Sequence, residues 1–215
     1  MGKSISIKNY NKSIKNNKIL NNINLTLESG KVYGLKGRNG SGKSMLMRAM
    51  SGMMFPDSGE VIINKINITK EKKVYDNIGV LIENAGFIDY LNGYDNLKLL
   101  ANIKNIITDS EIKEWMIKFN LDPDNKTKVR GYSLGMRQKL GIIQALMEKP
   151  EILFLDEPIN ALDEESIKIF NAEIKKIKLE DKIVVISNHN YEELKELCDE
   201  IIEIENGTIK KIYSV

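Results

Sequence analysis

The sequence predicts an α/β fold built on a mixed, mainly parallel β-sheet. Short β-like segments recur at residues 5–7, 32–35, 61–63, 80–82, 152–155, 183–186, 201–204 and 209–212, and the later ones are separated by stretches with apolar residues at helical spacing. Strands alternating with amphipathic helices pack as helices against a parallel sheet. The runs Ile152-Leu153-Phe154-Leu155 and Ile183-Val184-Val185-Ile186 contain no polar residue. That is the pattern of parallel strands covered on both faces.

Taken in order, Ile5 and Ile7 alternate with polar residues, as a half-buried strand does. Lys8, Lys12, Lys15 and Lys18 follow, interleaved with asparagines and without an aromatic or arginine cluster, and read as a solvated surface. The strand at 32–35 leads into a glycine-rich turn, and residues 45–50 follow with no helix breaker. Residues 85–148 lack strong strands and read as a helical insert. Within it, Thr108-Asp109-Ser110-Glu111 is a capping box opening a helix whose apolar face is Ile112, Trp115, Met116 and Phe119. A second helix begins near Ser133 and carries Leu140, Ile143 and Met147. Beyond the insert, Ile167, Phe170, Ile174 and Ile177 repeat at helical spacing, as do Tyr191, Leu194, Leu197 and Ile201.

Composition limits the function. The chain has 215 residues, 42% of them apolar, which suits a single domain with or without an inserted subdomain. With 32 basic against 30 acidic residues the net charge is +2, and no concentrated basic face marks a nucleic-acid binder. Cys198 is the single cysteine, so an internal disulfide is excluded; its apolar neighbours mark it as a packed thiol. No apolar run approaches the roughly 20 residues of a membrane-spanning helix, and the first residues show no apolar secretory core. Membrane work would require a partner.

Three features carry chemistry. Gly37-Arg38-Asn39-Gly40-Ser41-Gly42-Lys43-Ser44 fits the phosphate-binding pattern G-x-x-x-x-G-K-[ST] between a strand and a helix. Glycines let backbone N–H groups approach phosphate oxygens, and the helix start adds partial positive charge. Lys43 supplies a full charge, and Ser44 offers a hydroxyl to Mg²⁺. Next, the run at 152–155 ends in Asp156 and Glu157. A strand that deep carries charge only at its exposed end. Asp156 is the candidate partner of the magnesium, and Glu157, facing the other way, the candidate general base. Finally His189, the lone histidine, follows the strand at 183–186, at the end where open parallel sheets bind ligands. Its imidazole could contact the terminal phosphate and steady Glu157 and its water.

With these features in place, the whole chain resembles the ABC transporter ATPases. Tyr132-Ser133-Leu134-Gly135-Met136-Arg137-Gln138 is similar to that family's signature loop, and Asn160-Ala161-Leu162-Asp163 to the loop joining its two subunits. Phosphate loop, signature, acidic pair, joining loop and histidine stand in the family's order. The resemblance implies a P-loop NTPase core at 1–84 and 149–215, an N-terminal antiparallel β portion and a helical subdomain at 85–148. It also implies a head-to-tail dimer holding two ATP molecules, with Ser133, Gly135 and Met136 of one subunit facing the phosphate loop of the other. A glutamate, Glu83, replaces the family's glutamine in Glu83-Asn84-Ala85-Gly86-Phe87 and would bring a full negative charge to the magnesium. That replacement and the Tyr-Ser-Leu-Gly-Met signature resemble the bacitracin- and lantibiotic-immunity exporter group. Ile14 stands where relatives place an aromatic residue on the adenine, which predicts modest ATP affinity and weak base discrimination. Ile159 stands where relatives commonly have threonine.

The resulting expectation is the ATP-hydrolysing subunit of a bacterial exporter, using ATP and Mg²⁺. It would pair with a second ATPase subunit and an integral membrane permease at the cytoplasmic face, with residues 84–105 as the docking surface. A soluble ATPase of the same type, without a permease, normally has two such domains or a long coiled coil, and this chain shows neither. An importer's ATPase would differ only in transport direction.

Overall fold

A computed structural model describes residues 2–83 and 85–215. The chain runs β1 (Ser4–Ile14), β2 (Asn17–Glu28), β3 (Lys31–Lys36), α1 (Lys43–Met50), β4 (Ser58–Ile63), β5 (Ile66–Asn67), the one-turn α2 (Ile68–Glu71) and β6 (Ile78–Leu81). Three helices follow, α3 (Gly93–Lys104), α4 (Asp109–Lys118) and α5 (Leu134–Leu146). The chain then alternates through β7 (Ile152–Asp156), α6 (Glu164–Leu179), β8 (Ile183–Asn188) and α7 (Tyr191–Leu197), and ends in β9 (Glu200–Glu205) and β10 (Thr208–Ser214).

Among the described residues the strands form two sheets. A four-stranded sheet has the order β2-β1-β4-β5 and is antiparallel. A six-stranded sheet has the order β10-β9-β3-β8-β7-β6, parallel except for β10, which returns antiparallel to β9. The expected α/β fold with a mainly parallel sheet is the one observed.

Successive side chains of a strand face opposite ways, so each central strand feeds two cores. Val32, Leu153, Leu155, Val184 and Ile186 join Leu97, Ile112, Leu140, Phe170 and Leu194 of the helical layer. Tyr33, Leu35, Phe154, Val185 and Ile202 join Leu46 and Met47 of α1 and Ile5, Ile7, Ile23 and Val61 of the antiparallel sheet. The apolar runs of β7 and β8 are therefore buried on both sides, as their composition requires.

Local signals set the helix boundaries. Thr108 and Glu111 form the expected reciprocal capping box of α4. Ile112, Met116 and Phe119 are buried, whereas Trp115 is only half-buried and carries the Lys118 ammonium 4.4 Å above its ring. Ser133 caps α5 by accepting the Met136 amide. The helical repeat from Tyr191 stops at Leu197; Ile201, at the next helical position, belongs to β9. The strand expected at 80–82 is shifted, since β6 ends at Leu81. Strand β2 was not among the expected strands, although Ile23, Leu25 and Leu27 alternate with polar residues as a half-buried strand does. Only its first half is irregular: a register shift against β1 and a positive φ at Asn22 break the period of two between the buried Leu20 and Ile23. Of the lysines read as solvated, Lys8, Lys15 and Lys18 are exposed and Lys12 is half-buried against Asp57.

Helix α5 lies directly on β6 and β7. Gly79 of β6 permits that approach, because a methyl there would overlap the Ala145 carbonyl oxygen and crowd Leu153 and Pro150. Gly79→Ala is expected to lower the free energy of unfolding by about 3 kcal/mol, since backbone cannot yield as a side-chain tip can. Urea denaturation checks this; an unchanged midpoint would show that strand and helix do not touch there.

Candidate functional site

The polar chemistry collects at the carboxyl ends of β3, β7 and β8, beside the loop that follows β6. A cleft of about 600 Å³ there is lined by Asn39, Gly40, Gly42, Lys43 and Ser44 of the phosphate loop together with Glu83, Asp156 and Glu157. Its wall is completed by Ile19, Leu134, Gln138, Asn160 and Ala161.

Backbone geometry makes the loop. Gly40 and Gly42 have φ of 77° and 111°, and Gly42 caps α1. Gly37 packs against Ser41 and the Ile204 carbonyl so closely that no Cβ would fit. The Ser41 N–H donates to the Arg38 carbonyl, and the Gly207 N–H to the Ser41 carbonyl, which ties the loop to the β9–β10 turn. Lys43 is buried, and its ammonium donates to the carbonyls of Gly37 at 2.8 Å and Arg38 at 3.3 Å. The loop thus holds its own cation at the centre of the ring. The Ser41 hydroxyl is buried without a partner, a polar atom facing an incomplete surrounding.

The acidic pair is braced from several sides. Ser44 Oγ donates to Asp156 Oδ2 at 2.5 Å, and the hydroxyl of Ser187, on the neighbouring β8, donates to Asp156 Oδ1. Glu157 has φ 47°, a left-handed conformation that a glutamate adopts only when its surroundings hold it. Its N–H donates to Ser187 Oγ at 3.0 Å and to the Ser187 carbonyl at 3.2 Å. The Glu157 carboxylate accepts from Asn160 Nδ2 at 2.6 Å. Gln138 Nε2 donates to the carbonyls of Pro158 and Glu157, which links α5 to the same turn.

The remaining residues singled out by sequence sit around this centre. His189 is largely exposed, with Nδ1 4.0 Å from Glu157 Oε1, beyond hydrogen-bond range. It lines a second hollow with Arg38, Gly40 and Ser41, on the other flank of the phosphate loop. Glu83, in a left-handed turn with φ 60°, lines the main cleft, but its carboxylate pairs with Arg48 of α1 at 3.0 Å. Ile14 is exposed at the β1–β2 turn and does not line the cleft, whereas Ile19 does. Ser133, Gly135 and Met136 also stand off the cleft; Gly135 approaches the Ala161 carbonyl closely, and neighbouring Leu134 is 67% exposed.

Residues 20–160 match the family profile described as ABC transporter. The chain belongs to this family. This ABC ATPase is 38% identical to the uncharacterized ABC transporter ATP-binding protein YybJ of Bacillus subtilis over 96% of the chain and 94% of that protein. It is 35% identical to the bacitracin transport ATP-binding protein BcrA of Enterococcus faecalis over 94% of the chain and 67% of the relative. A solved dimeric bacterial ABC transporter cassette superposes with a TM-score of 0.88 at 25% identity, covering 98% of both chains. As an ABC ATPase the chain binds and hydrolyses ATP. No helix of the described residues is long and apolar enough to cross a membrane.

The site of this ABC ATPase suits a magnesium-bound nucleotide. The positive φ of Gly40 and Gly42 and the tight packing at Gly37 give the loop the backbone curvature that phosphate oxygens require, and Ser44 and Asp156 offer the hard oxygen donors that magnesium prefers.

Asn160, Gln138, Arg48 and Ser187 touch the site residues without having been assigned a site role from sequence. Asn160 and Gln138 carried a signal, since they stand in the joining and signature loops, and so did Ser187, a polar residue directly after the apolar run 183–186 and two places before His189; Arg48 carried none.

Behind Asn160, Asp163 caps α6 by accepting the Ser166 N–H and takes the Lys139 ammonium at 2.7 Å. Hydrogen bonding to Lys139, then to Ser166, holds its carboxyl well below the usual carboxylate range. A depressed folded-state pKa contributes stability above the unfolded pKa of about 4 that is lost as pH falls through the folded value. The gap in urea midpoint between this chain and Asp163→Asn is therefore expected to stay constant from about pH 7 to 5 and to narrow below about pH 4. A gap that widened on acidification would contradict the ion pair.

Proposed function

We propose that the chain is the ATP-hydrolysing subunit of a bacterial exporter, powering a separate membrane permease from the cytoplasmic face and exporting a peptide antibiotic in self-immunity or resistance. The convergence of Lys43, Ser44, Asp156 and Glu157 on one cleft carries this reading. In it, the loop at 37–44 cradles the phosphates, and the Lys43 ammonium leaves the Gly37 and Arg38 carbonyls for phosphate oxygens. Ser44 and Asp156 hold the magnesium ion, which when bound neutralises charge on the phosphates. Glu157 exchanges Asn160 for the attacking water and orients it in line, with His189 closing on the terminal phosphate from the other flank. The work is positioning and electrostatics, with no covalent intermediate.

The signature residues Ser133, Gly135 and Met136 lie off their own subunit's cleft, at a capped helix start beside an exposed Leu134. A helix start with a free face is a phosphate-binding element, which supports a head-to-tail dimer in which each signature completes the other subunit's site. A groove of about 370 Å³ lined by Met53, Val74, Val80, Leu100, Ile103 and Met147 supports permease docking. Met53, Val74 and Ile103 are exposed there, and Leu100 and Ile103 fall within the expected surface at 84–105, of which Asn84 lies outside the described residues. Residues 85–148 are proposed to move as the helical subdomain. The peptide cargo is supported by Glu83 and by the similarity to the bacitracin transport protein.

Glu157→Gln is expected to retain Mg-ATP while turnover falls by a factor on the order of 100 to 10,000, the usual share of a general base. Phosphate release and nucleotide retention measured together decide the point, and unchanged turnover sinks the mechanism. Fluorescent-nucleotide competition is expected to give ATP and GTP affinities within about tenfold of each other, because among the described residues no aromatic ring lines the cleft to offer the ~1–3 kcal/mol of base stacking. A strong ATP preference would point to another base contact. Affinity capture from membranes should recover a hydrophobic permease; a partner-free protein confined to the soluble fraction would favour a permease-independent ATPase.

A further inference from the structure

We infer that Ser187 is a positioning residue for hydrolysis, holding the metal-site carboxylate and the turn bearing the general base with one hydroxyl. The inference rests on the reading of Asp156 and Glu157 given above.

Ser187 is fully buried and lies opposite Asp156 in the parallel register of β7 and β8. Its Oγ donates its one hydrogen to Asp156 Oδ1 and accepts the Glu157 N–H at 3.0 Å. The Ser44 hydroxyl takes the other Asp156 oxygen. Both oxygens of the carboxylate are thus anchored, and their remaining lone pairs stay free for an outer partner. The same Oγ, with the Ser187 carbonyl behind it, anchors the first amide of the left-handed Glu157 turn.

Alanine at 187 would leave Asp156 Oδ1 without its buried donor and leave the Glu157 amide with only the carbonyl at 3.2 Å. The carboxylate would then be held at one oxygen only, by Ser44, and the strained turn would loosen, so the metal site and the base would lose their fixed relative placement together. Groups that orient a metal ligand typically change metal affinity or activity by about 10- to 100-fold when removed. A serine serving only to satisfy buried polarity would affect unfolding and leave the metal dependence alone.

The test compares Ser187→Ala, Ser187→Thr and Ser187→Cys with the unaltered chain, with Asp156→Asn and Glu157→Gln in parallel. The readouts are turnover, thermal unfolding, and the ratio of ATP affinity in Mg²⁺ to that in EDTA. For Ser187→Ala, affinity in EDTA is expected to stay within about twofold, while the magnesium ratio falls about tenfold and turnover by about 10- to 100-fold. Threonine, which keeps the hydroxyl, is expected to restore most of both. Should alanine cost the fold, cysteine keeps the volume but weakens the hydrogen bonds and is expected to shift the ratio the same way. A variant lacking the hydroxyl that unfolds earlier yet keeps the magnesium ratio and turnover would overturn the inference, while loss of turnover in Glu157→Gln left the underlying reading intact. If Asp156→Asn and Glu157→Gln also keep full turnover, the reading and the inference fall together.

Discussion

A sheet buried on both faces can carry charge only where its strands end, and that constraint organises the molecule. The helical layer and the antiparallel sheet with α1 cover the two faces of the parallel strands. Interior positions of β7 and β8 must be apolar, because an unpaired charge there would lose its hydration without replacement. Polar groups therefore gather at the carboxyl ends: the phosphate loop after β3, Asp156 and Glu157 at the end of β7, Ser187 and His189 at the end of β8, and Glu83 after β6. Parallel pairing brings these ends to one edge although they are far apart in sequence.

Most of the charged groups at that edge already have an internal partner, whereas the buried Ser41 hydroxyl has none. Lys43 rests on loop carbonyls, Asp156 on two serine hydroxyls, Glu157 on Asn160 and Glu83 on Arg48. Some of these partners leave the functional atom in place, and others compete for it. The serines fix Asp156 while leaving lone pairs open. Asn160 and the loop carbonyls occupy groups that a nucleotide and its water would engage, so binding exchanges one set of hydrogen bonds for another. In the Arg48–Glu83 pair the arginine is half-buried and the glutamate exposed, so the carboxylate is the side that can change partner at low cost.

The segment 160–163 ties three parts of the molecule together. Asn160 reaches back to Glu157, Ala161 presents its carbonyl to Gly135 at the start of α5, and Asp163 caps α6 while holding Lys139. Displacement of this segment would disturb Glu157, the start of α5 and the cap of α6 at once. That gives the chain a physical route between its cleft and the exposed start of α5 at Ser133 and Leu134.

Much of this was determined by sequence alone. The phosphate loop, the acidic strand end, the capped helix starts at Thr108 and Ser133 and the α/β alternation are local patterns of backbone freedom, charge and periodicity, and such patterns are written in consecutive residues. The second half of β2 was equally legible, in the alternation of Ile23, Leu25 and Leu27, and only the break near Asn22 hid its first half. Only the tertiary structure decided that Glu83 pairs with Arg48, that Ile19 and not Ile14 lines the cleft, and that Ser187 spans Asp156 and Glu157. These are contacts between segments up to 35 residues apart for Arg48 and Glu83 (83 − 48) and 31 for Ser187 and Asp156. Spacing along the chain carries no information about them until the strands pair side by side.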